Sequence, residues 1–279
     1  MAADRCDCGG LWINVRPMSS TVEIPARRRI TVREVIGEIF LTVGVILLLF
    51  AFYEAFWTNI RSGEMQNEAQ QQLDDEWRNP RGNHIPGMGE AFAQLYIPAF
   101  GSDYHYAVLE GTDDDTLLAG PGHYSDTQMP DEAGNFALAG HRVGKGAPFN
   151  DLGHLNTCDA IVVETRSQWF TYRVLPMEEG KDARTAASSS CLPDAVAREV
   201  ADGRYAHVLG RHITLPNDTS VLEPVPGGGG ANADGRVITL TTCHPQFSNA
   251  ERMIIHAVQT DARDKSAGPP PAMTRGKDA

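Results

Sequence analysis

The sequence has few positively charged residues, and they are not clustered outside its N-terminal part. It contains 24 Lys and Arg against 36 Asp and Glu, for a formal net charge of -12. Residues 1–34 hold six Arg and four acidic residues, so the rest of the chain carries a net charge of -14. Proteins that bind nucleic acid contact its phosphates with clustered Lys and Arg. This composition therefore argues against nucleic-acid binding.

Cysteine is also scarce, and its pattern does not indicate a metal centre. The chain has five cysteines, of which only Cys6 and Cys8 are close together in sequence. A structural zinc site normally needs a second pair of ligands at suitable spacing, and the sequence has no such pair after Cys6 and Cys8. We therefore predict no metal and no cofactor, and we interpret residues 1–34 as an N-terminal tail with reduced cysteines.

One long apolar run lies near the N-terminus. The stretch Ile39–Phe52 carries no charge, and counting on to Trp57 gives 19 residues, close to the roughly 20 that cross a bilayer. The sequence thus predicts a transmembrane helix over residues 35–57. A buried core helix is one alternative, but nothing nearby would cover a helix that is apolar all round. A cleaved signal peptide is another, but no small-x-small motif follows and the preceding segment is too long.

Arginine is more frequent before this run than after it. Only Arg61 follows the run closely, whereas six arginines precede it, including Arg16, Arg27, Arg28, Arg29 and Arg33. The positive-inside rule then predicts a cytoplasmic N-terminus and an extracellular position for everything after about residue 58. Three cysteines would lie outside, where disulfides persist. Because three is odd, a pair would leave one thiol as a candidate nucleophile.

The remaining chain divides by composition. Residues 58–90 are polar, rich in Gln and breakers, and are interpreted as an extracellular stalk. Residues 91–260 contain short β-rich runs separated by Gly, Pro, Asn and Asp, which predict a mostly antiparallel barrel or sandwich of about eight strands with short helices. Residues 261–279, with three consecutive prolines, are expected to be a disordered tail.

The segment RVITLTTCHP predicts a strand that ends near Cys243. Alternation along a strand places one set of side chains on one face (Val237, Thr239, Thr241 and Cys243). His244 falls on the other face with Ile238 and Leu240, so it is poorly placed to pair with Cys243 although it follows it directly. A Cys on a strand is often merely structural, and the residues alone leave that alternative open.

Two further residues are candidates to assist a thiol. His141 ends the short strand NFALAG before a Gly-rich loop, and a histidine there can present its imidazole at a cleft rim. Arg252 follows Cys243 by nine residues on the adjoining strand, where a guanidinium can supply charge and directional donors to an oxyanion. A free thiol has a pKa near 8.5, so it needs such neighbours to ionise at neutral pH.

Together these motifs resemble a known family. TLTTC followed by Arg252, with AGHR about a hundred residues upstream, resembles the sortases, and TLTTCHP, GPGHY and NFALAGHR resemble class E in particular. The resemblance covers about residues 92–260. It implies a closed, antiparallel eight-stranded β-barrel with Cys243 as nucleophile, His141 as acid and base, and Arg252 as oxyanion stabiliser. Residues 91–260 would then be the catalytic domain.

The resemblance also implies a substrate and an acceptor. Sortases cleave a C-terminal sorting signal of the Leu-Ala/Pro-x-Thr-Gly type between Thr and Gly and transfer the protein to an amine of a cell-wall precursor of the lipid II type. Tyr124, in GPGHY, matches a class E position associated with preference for Ala over Pro in the signal. A phenol can accept a hydrogen bond from the amide N–H that Ala has and Pro lacks.

Two functional alternatives stay open. A pilin-polymerising sortase would use a Lys of another subunit as acceptor. A non-enzymatic, membrane-tethered binding module would have Cys243 buried or disulfide-bonded and far from His141. The segment 181–212 is longer than the usual connection in the family and is expected to cover or widen the substrate groove. The acidic run Asp113–Asp115 is interpreted as a solvated loop rather than a calcium site.

Finally, we predict a disulfide between Cys158 and Cys191. Cys158 stands just before the strand AIVVET, Cys191 lies in a segment with little apolar surface, and both are expected outside the cell. The bridge would tie the long excursion 181–212 to the barrel. The alternative is that both thiols are free.

Overall fold

The structure, a computed structural model, describes residues 31–79, 84–231 and 233–273. Most of the predicted N-terminal tail, with Cys6 and Cys8, lies outside the described residues, as do residues 274–279. The helices are α1 Val32–Arg78, α2 Asp114–Ala119, α3 Lys181–Ser188 and α4 Asp194–Ala201. The strands are β1 Ala91–Tyr96, β2 His105–Glu110, β3 Gly122–His123, β4 Gly134–Ala139, β5 Ala160–Glu164, β6 Gln168–Val174, β7 Arg211–Thr214, β8 Arg236–His244 and β9 Glu251–Asp264.

Helix α1 starts with a reciprocal cap. The backbone N–H of Thr31 donates to Glu34 Oε2 at 2.9 Å, and the N–H of Glu34 donates to Thr31 Oγ1 at 3.4 Å, the pattern of a capping box. The apolar side chains that follow are largely exposed, with Phe40 at 74% and Leu48 at 72%. Among the described residues, α1 is the helix whose length and composition suit a membrane span.

The second part of α1 is a packed helix, which corrects the interpretation of residues 58–90 as a stalk. Ser62, Ala69 and Leu73 are buried, and with Gln66 they recur at helical spacing on one side of α1. Ala69 and Leu73 join an apolar cluster with residues of β1, β2 and α2. The polarity of Ser62 and Gln66 hides this stripe from a search for apolar periodicity.

Those polar residues are satisfied by backbone groups of α2 and β2. Ser62 Oγ donates to Leu118 O at 2.7 Å. The Gln66 amide donates to Ala119 O at 2.8 Å and accepts from the N–H of Ala107 at 2.9 Å. Buried polar groups are tolerated when they are paired in this way. The helix therefore belongs to the folded domain from about Ser62 to its end.

The strands close into a barrel. Their order is β6-β5-β1-β2-β3-β4-β8-β9, and β9 pairs back onto β6. The 14 residues of β9 are long enough to serve two partners on one side, since Ala257–Asp264 pair with β6 and Arg252–Ile255 pair with β7. The predicted closed eight-stranded barrel is confirmed, with β7 as an added strand.

Most strand pairings are antiparallel, but β2–β3 and β4–β8 are parallel. The barrel interior is filled by an apolar cluster that includes Phe136, Leu138, Ile238, Leu240 and Ile255. Ile238 and Leu240 belong to this cluster, so the face of β8 that they share points inward. Residues with odd numbers on β8 therefore face outward, and this places Cys243 on the outside of the barrel.

The excursion 181–212 is an organised helical layer. Arg184, only 1% exposed, donates from Nε to Val200 O at 2.9 Å and from Nη2 to Tyr205 O at 3.1 Å and Val208 O at 2.8 Å. Arginine presents donors in a fixed fork, so one side chain can hold several carbonyls. Arg184 thereby joins α3 to α4 and to the chain that leads into β7.

This layer covers one end of the outer face of β8 and β9. Its apolar residues pack on Val237 and Val258, which are direct partners across the β8–β9 pair. Cys243 lies six residues further along β8, about 20 Å away at the rise of a strand. The helices of the excursion therefore pack on the part of the β8–β9 pair away from Cys243.

A disulfide fastens the excursion to the barrel. Cys158 and Cys191 are bonded, with their Cα atoms 5.7 Å apart and a sequence separation of 33 residues. The predicted bridge is confirmed. Cys158 precedes β5 and Cys191 lies between α3 and α4, so the bond joins the helical layer to the β5–β6 side of the sheet.

The C-terminal segment is ordered further than predicted. Strand β9 continues to Asp264, and a short turn at Pro271–Met273 follows. Ala272 is 6% exposed and packs with Trp169 and Ala160. The expectation of disorder from residue 261 is therefore wrong for residues 261–273, because pairing with β6 and this apolar contact hold the segment on the barrel.

Candidate active site

Strands β4 and β8 bring His141 beside Cys243. The two strands are parallel, and their last paired residues are Ala139 and Thr241. His141 and Cys243 each follow by two residues, so they emerge side by side from neighbouring strands, which are about 4.8 Å apart in a sheet. The N–H of Gly140 donates to Thr241 O at 3.1 Å and keeps the strands together at this point.

Strands β8 and β9 place Arg252 on the other side of the thiol. Cys243 and Arg252 are direct partners in the antiparallel pair, and directly opposed residues point to the same face with Cβ atoms about 4.5–5.5 Å apart. The three residues therefore lie in the order His141, Cys243, Arg252 across three adjacent strand ends. All three predicted catalytic residues are brought to one place.

The thiol of Cys243 is free and partly exposed. Its Sγ donates a hydrogen bond to Asn249 Oδ1 at 3.4 Å. A non-enzymatic module in which Cys243 is buried or bridged does not fit this arrangement. Asn249 was not identified from the sequence, since only the path of the β8–β9 turn brings it back to the thiol.

The loop that carries His141 is fixed by close packing. The N–H of Phe149 donates to His141 O at 3.0 Å, and the Phe149 ring is fully buried. A Cβ atom at Gly140 would lie 2.5 Å from that ring. Packing against the Phe149 ring thus requires glycine at position 140, just before His141.

The surroundings of His141 favour its neutral form. Burial lowers its pKa below the usual 6.5, the positive charge of Lys145 lowers it further, and Asp114 opposes the shift. Its Nε2 atom is buried and has no hydrogen-bond partner within the described chain. An imidazole nitrogen without a partner in the described chain can exchange a proton with a bound group.

Arg252 directs part of its guanidinium to the backbone. Its Nη1 donates to Glu251 O at 3.0 Å and to Asn249 O at 3.5 Å. Its Nε and Nη2 make no hydrogen bond with any described residue. These donors are on the same face as the thiol and can bind an oxyanion that forms there.

Tyr124 contacts the same face of β8. Its hydroxyl lies 2.9 Å from Thr241 Oγ1, and Thr241 precedes Cys243 by two residues on that face. The N–H of Tyr124 donates to Ala137 O on β4 at 3.0 Å. The predicted specificity residue is therefore next to the thiol along the strand.

The acidic run near the site has a local role. Asp113 caps α2, since its Oδ1 accepts from the N–H groups of Asp115 and Thr116 at 3.1 Å each. Asp114 and Asp115 occupy the first turn of α2, where negative charge is favoured by the helix dipole. The run is a helix cap rather than the expected solvated loop.

His244 is engaged on the opposite side of β8. Its Nδ1 lies 2.7 Å from Arg142 Nη1, and Nε2 lies 4.0 Å from Glu251 Oε2. This confirms that His244, although adjacent to Cys243 in sequence, is not the partner of its thiol. Arg142 is another residue that was not identified from the sequence.

Comparison with known proteins agrees with this geometry. A family model described as Sortase domain matches residues 95–260. Sortase SrtE1 of Streptomyces coelicolor is 36% identical over 276 residues, covering 92% of this chain and 68% of that protein.

Solved structures show the same fold. The SrtF sortase from Corynebacterium diphtheriae is 53% identical, with a TM-score of 0.67 over 70% of this chain and 97% of that one. Sortase E1 from S. coelicolor, crystallised with a tripeptide in the active site, is 32% identical, with a TM-score of 0.50 over 68% of this chain and 99% of that one.

Proposed function

This chain belongs to the sortase family of cysteine transpeptidases, and we propose that it cleaves a sorting signal of the Leu-Ala/Pro-x-Thr-Gly type between Thr and Gly and transfers the protein to an amine. The observation that carries this proposal is the row of His141, Cys243 and Arg252 across the ends of β4, β8 and β9. Sortases act on proteins that bear such signals. The particular signal, the acceptor and the roles of these residues are our proposals.

In the first half of the reaction, the Cys243 thiolate attacks the Thr carbonyl carbon. The carbonyl oxygen becomes an oxyanion that the guanidinium of Arg252 stabilises. His141, as imidazolium, donates its proton to the departing Gly amine as the C–N bond breaks. The product is a thioester between Cys243 and Thr.

In the second half, an amine attacks the thioester carbonyl. Neutral His141 accepts the proton of this amine, and the C–S bond breaks to release Cys243 as a thiolate. The protein is then joined to the acceptor through a new amide bond, and the ion pair is regenerated. We propose a cell-wall precursor of the lipid II type as acceptor, as the sequence motifs imply for this family.

Two features of the resting site oppose formation of the charged pair. Burial lowers the pKa of His141 and so favours its neutral form, and the Cys243 thiol donates a hydrogen bond to Asn249 Oδ1. We therefore expect a slow enzyme until substrate displaces the thiol from Asn249.

Tyr124 is proposed to favour Ala over Pro at the second position of the signal. Its hydroxyl is held by Thr241, on the outward face of β8 that leads to Cys243. An Ala residue offers an N–H that the phenol oxygen can accept, while Pro offers none. A related sortase E1 has been crystallised with a tripeptide in its active site, which supports peptide binding at this face.

We propose that α1 anchors the enzyme in the cell membrane with its N-terminus in the cytoplasm. The exposed apolar part of the helix and the arginines before it support this orientation. The catalytic domain, proposed as residues 91–260, would lie outside, where the Cys158–Cys191 bond is stable. Secreted proteins with sorting signals and membrane-bound precursors would both reach it there.

The proposal is tested with full-length protein in detergent micelles and a fluorogenic Leu-Ala-x-Thr-Gly peptide. We expect cleavage by the wild type, and a thioester adduct on Cys243 detectable by mass spectrometry when no amine is added. Cys243→Ser should abolish turnover because a hydroxyl is a far weaker nucleophile without a strong base beside it. Its melting temperature should match the wild type. Turnover by Cys243→Ser would exclude this mechanism.

A further inference from the structure

Arg142 joins the loop that carries His141 to the residue that carries the thiol. Its Nη1 donates to the backbone carbonyl of Cys243 at 3.2 Å and to Nδ1 of His244 at 2.7 Å. Arg142 is next to His141 in sequence, and His244 is next to Cys243. One guanidinium nitrogen therefore links the two neighbouring pairs that contain the proposed acid/base and nucleophile.

We propose that Arg142 and His244 form a positioning device that fixes Cys243 relative to His141. His244 points to the other face of β8 from the thiol, since it alternates with Cys243 along the strand. The inference rests on the proposed function, because it concerns the relative placement of the proposed nucleophile and the proposed acid and base. It also gives a role to His244 of the Cys-His-Pro element, which the proposed nucleophilic chemistry does not use.

Such a device is needed because the strand ladder ends too early. The parallel β4–β8 pairing stops at Ala139 and Thr241. Beyond it, the N–H of Gly140 donates a hydrogen bond to Thr241 O, and Thr242 Oγ1 donates one to Gly140 O at 2.8 Å. Neither hydrogen bond involves Cys243. Among the described residues, the bond from Arg142 Nη1 to Cys243 O is the only hydrogen bond that joins this loop to Cys243. A misplacement of 1 Å between reacting groups can cost about a hundredfold in rate.

The state of His244 follows from the same contacts. A guanidinium only donates hydrogen bonds, so Nδ1 of His244 is the acceptor and its hydrogen is on Nε2. That nitrogen faces the Glu251 carboxylate at 4.0 Å, and Glu251 is the direct partner of His244 on β9. His244 is thus a neutral acceptor held between Arg142 and β9.

Arg142 has an energetic cost that a positioning role would explain. Nε of Arg142 is buried and has no hydrogen-bond partner within the described chain, and unsatisfied buried donors are unfavourable. An arginine kept there for Nη1 alone is consistent with a role for that nitrogen. Because a guanidinium stays charged at all relevant pH values, the link does not depend on pH through Arg142.

A second bond between the same two loops provides a matched control. Gln246 Nε2 donates to Asn150 Oδ1 at 2.7 Å, joining the β8–β9 turn to the end of the His141 loop. It touches neither His141 nor Cys243. If any link between the two segments were enough to align Cys243 with His141, loss of the Gln246 bond would lower kcat as much as loss of the Arg142 bonds.

The test compares Arg142→Gln, Arg142→Lys and Gln246→Ala in full-length protein with the fluorogenic peptide. We expect Arg142→Gln to lower kcat by about ten- to a hundredfold with KM nearly unchanged, because the groove is intact but the dyad is misaligned. Arg142→Lys should recover part of kcat, since one ammonium can reach both acceptors. Gln246→Ala should stay within about twofold of the wild type.

His244 variants test the other end of the link. His244→Asn keeps an acceptor close to the Nδ1 position, whereas His244→Phe keeps the ring and removes it. We expect His244→Phe to lose more kcat than His244→Asn. Combined with Arg142→Gln, His244→Phe should add little, since both changes remove one interaction.

Alkylation of Cys243 by iodoacetamide separates positioning from folding. At a pH above the thiol pKa this reaction needs no partner residue, so Arg142→Gln should react at the wild-type rate. A wild-type kcat in Arg142→Gln, or an equal loss in Gln246→Ala, would overturn the inference. A fall in alkylation rate and melting temperature together with kcat would also overturn it, as a structural effect. Failure of the proposed function would appear separately, as turnover by Cys243→Ser or none by the wild type.

Discussion

Cys243 and Arg252 lie directly opposite each other on the antiparallel strands β8 and β9. Nine residues separate them in sequence, and the turn between them returns the chain so that thiol and guanidinium share one face of the sheet. Sheet register, rather than a flexible loop, sets their distance. The proposed oxyanion donor is therefore attached to the same rigid element as the proposed nucleophile.

This relationship predicts the effect of replacing Arg252 with Lys. An ammonium keeps the charge but not the planar set of donors, two of which hold backbone carbonyls while others remain for the oxyanion. We expect Arg252→Lys to lose about 2–4 kcal/mol of transition-state stabilisation, the range for one oxyanion donor. Measurement of kcat/KM checks this. An unaltered value would show that Arg252 is only a surface charge.

A second prediction concerns the pH dependence of activity. Lys145 lowers the pKa of His141 and Asp114 raises it. Lys145→Gln should therefore move the acidic limb of the kcat/KM profile to higher pH, and Asp114→Asn should move it to lower pH. Each variant is the control for the other. Shifts in the same direction, or no shift in either, would contradict the proposed role of His141.

The third prediction concerns signal specificity. Tyr124→Phe should lower the preference for Leu-Ala-x-Thr-Gly over Leu-Pro-x-Thr-Gly by about two- to tenfold, the effect of one neutral hydrogen bond. The ratio of kcat/KM for the two peptides measures it. Tyr96→Phe is a matched control, because Tyr96 donates to Glu164 at 2.6 Å, between β1 and β5. An unchanged ratio in Tyr124→Phe would assign Tyr124 to packing alone.

The fourth prediction concerns the disulfide. Removing it with Cys158→Ser and Cys191→Ser should destabilise the protein by about 3–4 kcal/mol, the value for closing a loop of this length. Denaturation of the wild type with and without reductant should show the same difference, while the double variant should not respond to reductant. Thiol titration of the unreduced protein from residue 58 onward, which keeps the packed part of α1, should detect one thiol, lost in Cys243→Ser. Three thiols there would mean that the bridge does not form.

The fifth prediction concerns stability in acid. His256 is buried, and burial, with the charges of His212 and His207, lowers its pKa to about 3. Below pH 6.5 the unfolded chain binds a proton at His256 that the folded chain does not, so stability falls as pH falls toward 3. Between pH 7 and 5 this difference is about 2 kcal/mol.

His256→Gln removes that proton-binding group and should lose less stability than the wild type over the same pH interval. The variant should be less stable at pH 7, because His256 lies 2.8 Å from Thr239 Oγ1 in a buried network. Urea denaturation at pH 7 and 5 measures both effects. Parallel losses in the two proteins would show that His256 does not titrate as its burial requires.

Much of the fold could be predicted from the sequence. Alternation placed Ile238 and Leu240 on the opposite face of the strand from Cys243, because strand side chains point to opposite faces with a period of two. The helix at the apolar run 39–52 was predicted from the length and composition of the run alone. The second part of α1 was missed, because Ser62 and Gln66 replace apolar residues where the helix meets backbone groups of the barrel.

The candidate site divides in the same way. The sequence by itself determined the chemistry: a thiol, an imidazole and a guanidinium at strand ends, recognisable because local motifs carry them. Only the tertiary structure decided their neighbours: Arg142 reaches Cys243 through the parallel β4–β8 pairing, Asn249 through the β8–β9 turn, and Asp114 comes near His141 from α2. Such contacts depend on which strands become adjacent, and hydrogen bonds between residues about a hundred positions apart leave no local pattern in a single sequence.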